Sequence, residues 1–84
     1  MQLKSLHNFF QNGLLGYYPK DEIGAFFHRV CEHYLGFKRI DVSLKSETLI
    51  TPETFEYFET IISRLLTYEP IQYILGTTSF FGLE

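Results

Sequence analysis

Three side chains of one apolar segment have the chemistry to bind a metal ion: His28, Cys31 and His33. Imidazole and thiolate are the ligands zinc prefers, usually four of them in a tetrahedron. On a helix, Cys31 lies about 60° around the axis from His28, and His33 about 140° from it. The three cannot converge on one ion without ligands from elsewhere. A nucleophilic role for Cys31 meets a similar obstacle. A reactive thiolate needs an accessible, electropositive setting. Cys31 instead sits between Val30 and Tyr34 on an apolar stripe, so it reads as a small core residue.

Glu53, Glu56 and Glu59 recur every third residue. Acid–base work needs carboxylates in a cleft with shifted pKa values. An exposed helix face accounts for these more simply, with a partner surface as the functional alternative. Lys38 and Arg39, with Lys45 nearby, are the one local basic cluster. They read as a solvated helix end, with contact to a protein or to RNA as the alternative. The sequence holds no phosphate loop, nucleotide fingerprint or catalytic triad order. No catalytic, cofactor-binding or metal-ligating residue is therefore assigned.

The elements that would position these groups are helical. Leu3, Leu6, Phe10 and Leu14 recur at three- and four-residue spacing, which predicts an amphipathic helix ending near Gly13 or Gly16. Pro19 can open the next helix, with Asp21 and Glu22 in its first turn, where carboxylates favour the free N–H groups. Ile23, Phe26, Phe27, Val30, Cys31, Tyr34 and Leu35 then form one continuous stripe. Gly24 interrupts it, a cost that a closely packed neighbour would explain. Gly36 suits the helix stop.

Residues 37–44 fit either a helical turn or an alternating strand. A short helix is preferred because no partner strand is visible nearby. Thr51 is a good N-cap, with Pro52 at the first helical position. Phe55, Phe58, Ile61, Ile62, Leu65 and Leu66 give the next long helix its buried face. Pro70 starts a short helix running to about Leu75, and Gly76 suits the position just past its end. The expected fold class is all-α: a small bundle of about four to five helices with a short C-terminal extended segment.

Bulk composition narrows the function classes. The chain has 84 residues, is 45% hydrophobic and 18% aromatic, and so is too apolar for disorder. A net charge of −3 with seven Lys and Arg argues against direct nucleic-acid binding. One cysteine forms no internal disulfide, and there is neither a signal-like start nor an apolar run of membrane length. A cytoplasmic protein without membrane contact is expected.

The last seventeen residues start as a helix and finish as an apolar, strand-like run, Ser79-Phe-Phe-Gly-Leu. A lone strand cannot pair its own backbone groups, so the chain reads as the front part of something longer. Glu69-Pro70-Ile71-Gln72-Tyr73, then Gly76, Phe80 and Gly82, resembles the segment that joins the N-terminal helical domain to the catalytic domain in HemK/PrmC-type glutamine methyltransferases of peptide chain release factors. The order of elements upstream, from Ile23 to Tyr68, also follows that family. Thr77-Thr78-Ser79 departs from it, being uncharged where relatives often carry a charge.

The resemblance implies residues 1–76 as a helical substrate-recruiting domain and residues 77–84 as the start of a linker strand toward a catalytic domain. Glu69, Pro70, Gln72, Tyr73, Gly76, Phe80 and Gly82 would form the interdomain joint. It also implies S-adenosylmethionine as cofactor of the full-length enzyme, and none for this segment. The implied partners are a release factor and the catalytic domain itself. The family's cofactor loop and Asn-Pro-Pro-Tyr motif lie downstream, so no catalytic residue carries over. A free-standing helical interaction module without enzymatic activity is the alternative from another class.

Overall fold

Five α-helices follow one another along the described chain, residues 1–78 of a computed structural model. The first, α1 (Leu3–Leu14), buries Leu3, Leu6, Phe10 and Leu14, the stripe its spacing predicts. Its N-terminus has no side-chain cap. The Leu3 and Lys4 N–H groups instead donate to the Thr48 and Ser46 carbonyls at 2.8 and 2.9 Å, so the loop of residues 45–51 satisfies two otherwise orphaned donors. Near its C-terminus, a Cβ on Gly13 would lie 3.3 Å from the Ile62 Cγ2, so glycine lets α1 approach the fourth helix closely there.

The second helix, α2 (Lys20–Val30), buries Ile23, Phe26, Phe27 and Val30. Pro19 stands at its N-cap, one residue before the expected position. The stripe does not continue as one α-helix to Leu35. Residues Cys31–Leu35 widen into a π-turn, in which the Gly36 N–H reaches five residues back to the Cys31 carbonyl, and the Phe37 N–H donates to the same carbonyl at 3.2 Å. The wider turn rotates Tyr34 and Leu35 partly out of the core, and both are half-buried. Gly36 closes it in the left-handed conformation, φ 73°, as expected of a glycine stop. The close neighbour expected at Gly24 is not there: a Cβ would meet nothing within 4 Å.

Residues Arg39–Leu44 form α3, a short helix rather than a strand. The Asp41 carboxylate accepts the Lys38 N–H at 3.0 Å and so holds its first turn. Its apolar anchor is Val42, whereas Ile40 and Leu44 are exposed. The fourth helix, α4 (Pro52–Leu65), starts as read: Thr51 Oγ1 accepts the Thr54 N–H at 3.1 Å, and Pro52 takes the first helical position. Its buried face is Thr54, Tyr57, Phe58, Ile61, Ile62 and Leu65. Phe55 and Leu66 are only half-buried, and Tyr57 takes the interior place instead.

The last helix, α5 (Ile71–Thr77), runs through Gly76 and ends one residue beyond it. Gly76 is therefore helical rather than a stop. Pro70 stands at its N-cap, and Thr78 is buried beside its end. The expected extended stretch from Ser79 onward lies outside the described residues.

Helix α1 packs on both α2 and α4, and α5 packs on α4. At their junction Phe10, Phe27 and Phe58 meet, with ring centroids 5.4, 6.1 and 5.6 Å apart, all three fully buried. Burying each such ring contributes about 1.5–3 kcal/mol, so this cluster is the apolar centre of the domain.

Candidate functional site

The histidines and the cysteine singled out by type are dispersed. Cys31 is fully buried, and burial pushes its thiol up to about 12, so no thiolate is at hand near neutral pH. His33 is exposed and borders a shallow recess with Arg29, Glu32 and Leu75. His28 turns the other way, toward α1, where its ring centroid lies 6.2 Å from that of His7. His7 drew no notice in the sequence, yet its ring stacks on Phe27 at 4.2 Å and 3°.

The buried Nδ1 of His28 has no hydrogen-bond partner. Burial lowers the pKa of both histidines. Each also faces another cation: His28 beside His7, and Arg39 beside His28. Among the described residues, no three His, Cys, Asp or Glu side chains stand close enough to hold a metal ion. Glu53, Glu56 and Glu59 are exposed along α4. Lys38 and Arg39 are exposed too, and the Lys45 ammonium lies 4.8 Å from the Phe37 ring centre.

The densest polar arrangement is the turn from α4 into α5. Helix α4 closes in a Schellman motif. The Tyr68 N–H donates to the Leu65 carbonyl at 2.9 Å, and the Glu69 N–H to the Arg64 carbonyl at 3.4 Å. The residue in the left-handed position, where glycine is usual, is Tyr68, φ 64°. A tyrosine there stores about 1–2 kcal/mol of strain. Its ring lies 5.5 Å from that of Tyr18, whose hydroxyl donates to the Leu65 carbonyl at 2.7 Å.

Arg64 organises this turn. Its Nε and Nη2 donate to the same Glu69 Oε1 at 3.1 and 2.6 Å. Its Nη1 donates to Thr77 Oγ1 at 2.6 Å, at the far end of α5. The guanidinium carbon sits 5.7 Å from the Tyr73 ring centre. Hydrogen bonding between the pair raises the Arg64 pKa and lowers that of Glu69, so both stay charged across the physiological range. On the inner side Thr78 Oγ1 donates to the Ile74 carbonyl at 2.8 Å and lies 2.9 Å from the Tyr57 hydroxyl.

Of the expected joint residues, Glu69 and Tyr73 therefore converge on Arg64, and Pro70 sets the start of α5. Gln72 and Gly76 are exposed. Phe80 and Gly82 lie outside the described residues. Arg64, Thr77 and Thr78 were missed. Arg64 and Glu69 are five apart across a helix end, a spacing that no helical pairing rule flags. The uncharged threonines, read only as a departure from the family pattern, supply the hydroxyls that the turn uses.

The architecture is that of a small helical domain whose last two helices are joined by a tightly hydrogen-bonded turn. The family model described as "PrmC N-terminal domain" matches residues 25–76, which takes in the second half of α2 through most of α5 and the whole turn. The chain belongs to the PrmC N-terminal domain family. A release factor glutamine methyltransferase of Flavobacterium psychrophilum is 34% identical over 83 residues, which is 99% of this chain and 29% of that protein. A release factor glutamine methyltransferase of Bacteroides thetaiotaomicron is 31% identical over 74 residues, 88% of this chain and 27% of that protein. The chain thus spans under a third of the length of these relatives. No solved structure matches it.

Proposed function

We propose that this chain is the helical, substrate-recruiting part of a release factor glutamine methyltransferase. The family match over residues 25–76 carries the reading, supported by two relatives of that name. On this reading the whole enzyme transfers a methyl group from S-adenosylmethionine to the side-chain nitrogen of the glutamine in a release factor's Gly-Gly-Gln loop. The described residues do not fit that cofactor. Their glycines lie within helices or at helix stops, and the recess beside His33 is shallow and bordered by only Arg29, Glu32, His33 and Leu75. No step of the transfer is assigned to them.

What a rigid helical domain can supply is remote binding surface. Contacts far from the reacting atoms hold a large substrate in place, and the entropy of positioning is lost before the chemical step. The turn at Arg64 would aim the catalytic part relative to that surface, and the full length would act where release factors are made, in the cytoplasm. The test is a nuclear magnetic resonance titration of the 84-residue chain with a release factor. Saturable shifts confined to one face are expected, and a spectrum unchanged at millimolar partner would overturn the reading.

A further inference from the structure

We infer that Arg64 is a positioning residue, which fixes the direction in which α5 leaves the helical bundle by clamping both ends of that helix from the last turn of α4. Why direction matters rests on the proposed function. The clamp itself rests on geometry alone.

The apolar contacts of α5 come from Ile71, Ile74 and Leu75. Such contacts are non-directional, so a seven-residue helix held by them alone can roll and tilt on its neighbour. Arg64 removes that freedom. One planar group bonds Glu69, two residues before α5 begins, and Thr77, its last residue, while lying near the Tyr73 ring in between. The Arg64 backbone joins in, because its carbonyl accepts the Glu69 N–H. The acceptors are well placed: Thr77 Oγ1 donates onward to the Ile74 carbonyl at 3.1 Å, and Glu69 Oε2 lies 3.4 Å from Thr67 Oγ1.

The ion pair is also sheltered. The Arg64 and Glu69 side chains are 25% and 32% exposed, so water screens them less than a typical surface pair. Two further features make the turn over-determined: Tyr68 is held in the left-handed region, and the Tyr57–Thr78 hydroxyl contact is buried on the opposite side. Strain of this kind persists where the surroundings leave the backbone no alternative. Lysine cannot replace Arg64, since a single ammonium lacks the fork that reaches Glu69 and Thr77 together.

The experiment compares parent, Arg64→Ala and Arg64→Lys in the full 84-residue chain by amide exchange and residual dipolar couplings. In both variants exchange at residues 74–78 should rise roughly tenfold or more, as expected for loss of charge-assisted hydrogen bonds. The couplings of α5 should leave the frame shared by α1, α2 and α4. Parent-like values at α5 would overturn the inference. So would equal acceleration in all helices, which marks general destabilisation, or full rescue by lysine, which marks charge without geometry. Thr77→Val severs one arm of the clamp and serves if the Arg64 variants fail to fold: it should loosen α5 in the same sense, and no loosening would overturn the inference. A chain that ignores release factors would defeat the proposed function and leave these couplings unchanged.

Discussion

At the scale of single residues, two half-buried imidazoles should make this domain sensitive to mild acid. His7 and His28 have pKa values below the ordinary 6.5, because burial disfavours the charged form and each faces another cation, Arg39 in the case of His28. The unfolded chain takes up protons near pH 6.5 that the folded chain refuses, so stability rises with pH. It is complete above about pH 7 and declines as pH falls from there toward the lowered folded values. The Glu69 carboxyl, held below its ordinary 4.5 by Arg64, adds loss only at lower pH. Urea midpoints should therefore fall between pH 7.5 and 5.5, and fall less in His28→Gln. Midpoints flat across that window, or an undiminished fall in the variant, would contradict this account.

Gly24 makes a second prediction at this scale. It lies inside α2 with φ in the ordinary helical range and open space where a Cβ would stand. Gly24→Ala should stabilise the domain by about 0.5–1 kcal/mol, through the unfolded chain's lost freedom. A lower melting temperature would show that a neighbour packs there after all. Residue-scale chemistry was the least legible level. Types alone drew attention to His33 and Cys31, whereas His7 and Arg64 matter through partners 20 and 13 residues away, Phe27 and Thr77.

At the scale of elements, the stripes of α1, α2 and α4 were legible because a 3.6-residue period repeated over three or more turns leaves little choice of face. The π-turn was not. Cys31, Tyr34 and Leu35 satisfy the α-helical period in sequence, and only the backbone shows the widening that half-exposes the last two. Tyr57 was missed because a tyrosine between glutamates suits a wet face. Its hydroxyl is accommodated inside by Thr78, and its ring stacks on Tyr34 at 4.0 Å. The α2 and α4 stripes meet at Phe27 and Phe58, whose ring centroids sit 5.6 Å apart, both fully buried. Phe27→Ala and Phe58→Ala should each cost about 3–5 kcal/mol. Thermal melts within a couple of degrees of the parent would remove these rings from the core.

At the scale of the whole molecule, the all-α fold follows from a chain in which each long helix has one apolar face and nothing else to bury it against. The family was legible around the α4–α5 turn, where Glu69 and Tyr73 meet Arg64 and Pro70 starts α5. The role proposed for the domain was not legible in any one residue, because binding surface and orientation are spread over many residues. The central claim is that it recruits the release factor. Its most direct test uses a full-length protein carrying this domain, compared with a version lacking residues 1–78. Methylation rates are measured on an intact release factor and on a short peptide containing Gly-Gly-Gln, with calorimetric binding of S-adenosylmethionine confirming that the shortened enzyme is folded. Loss of the domain should lower kcat/KM roughly tenfold or more for the intact factor and change it little for the peptide. Equal rates on both substrates with and without the domain would contradict the account.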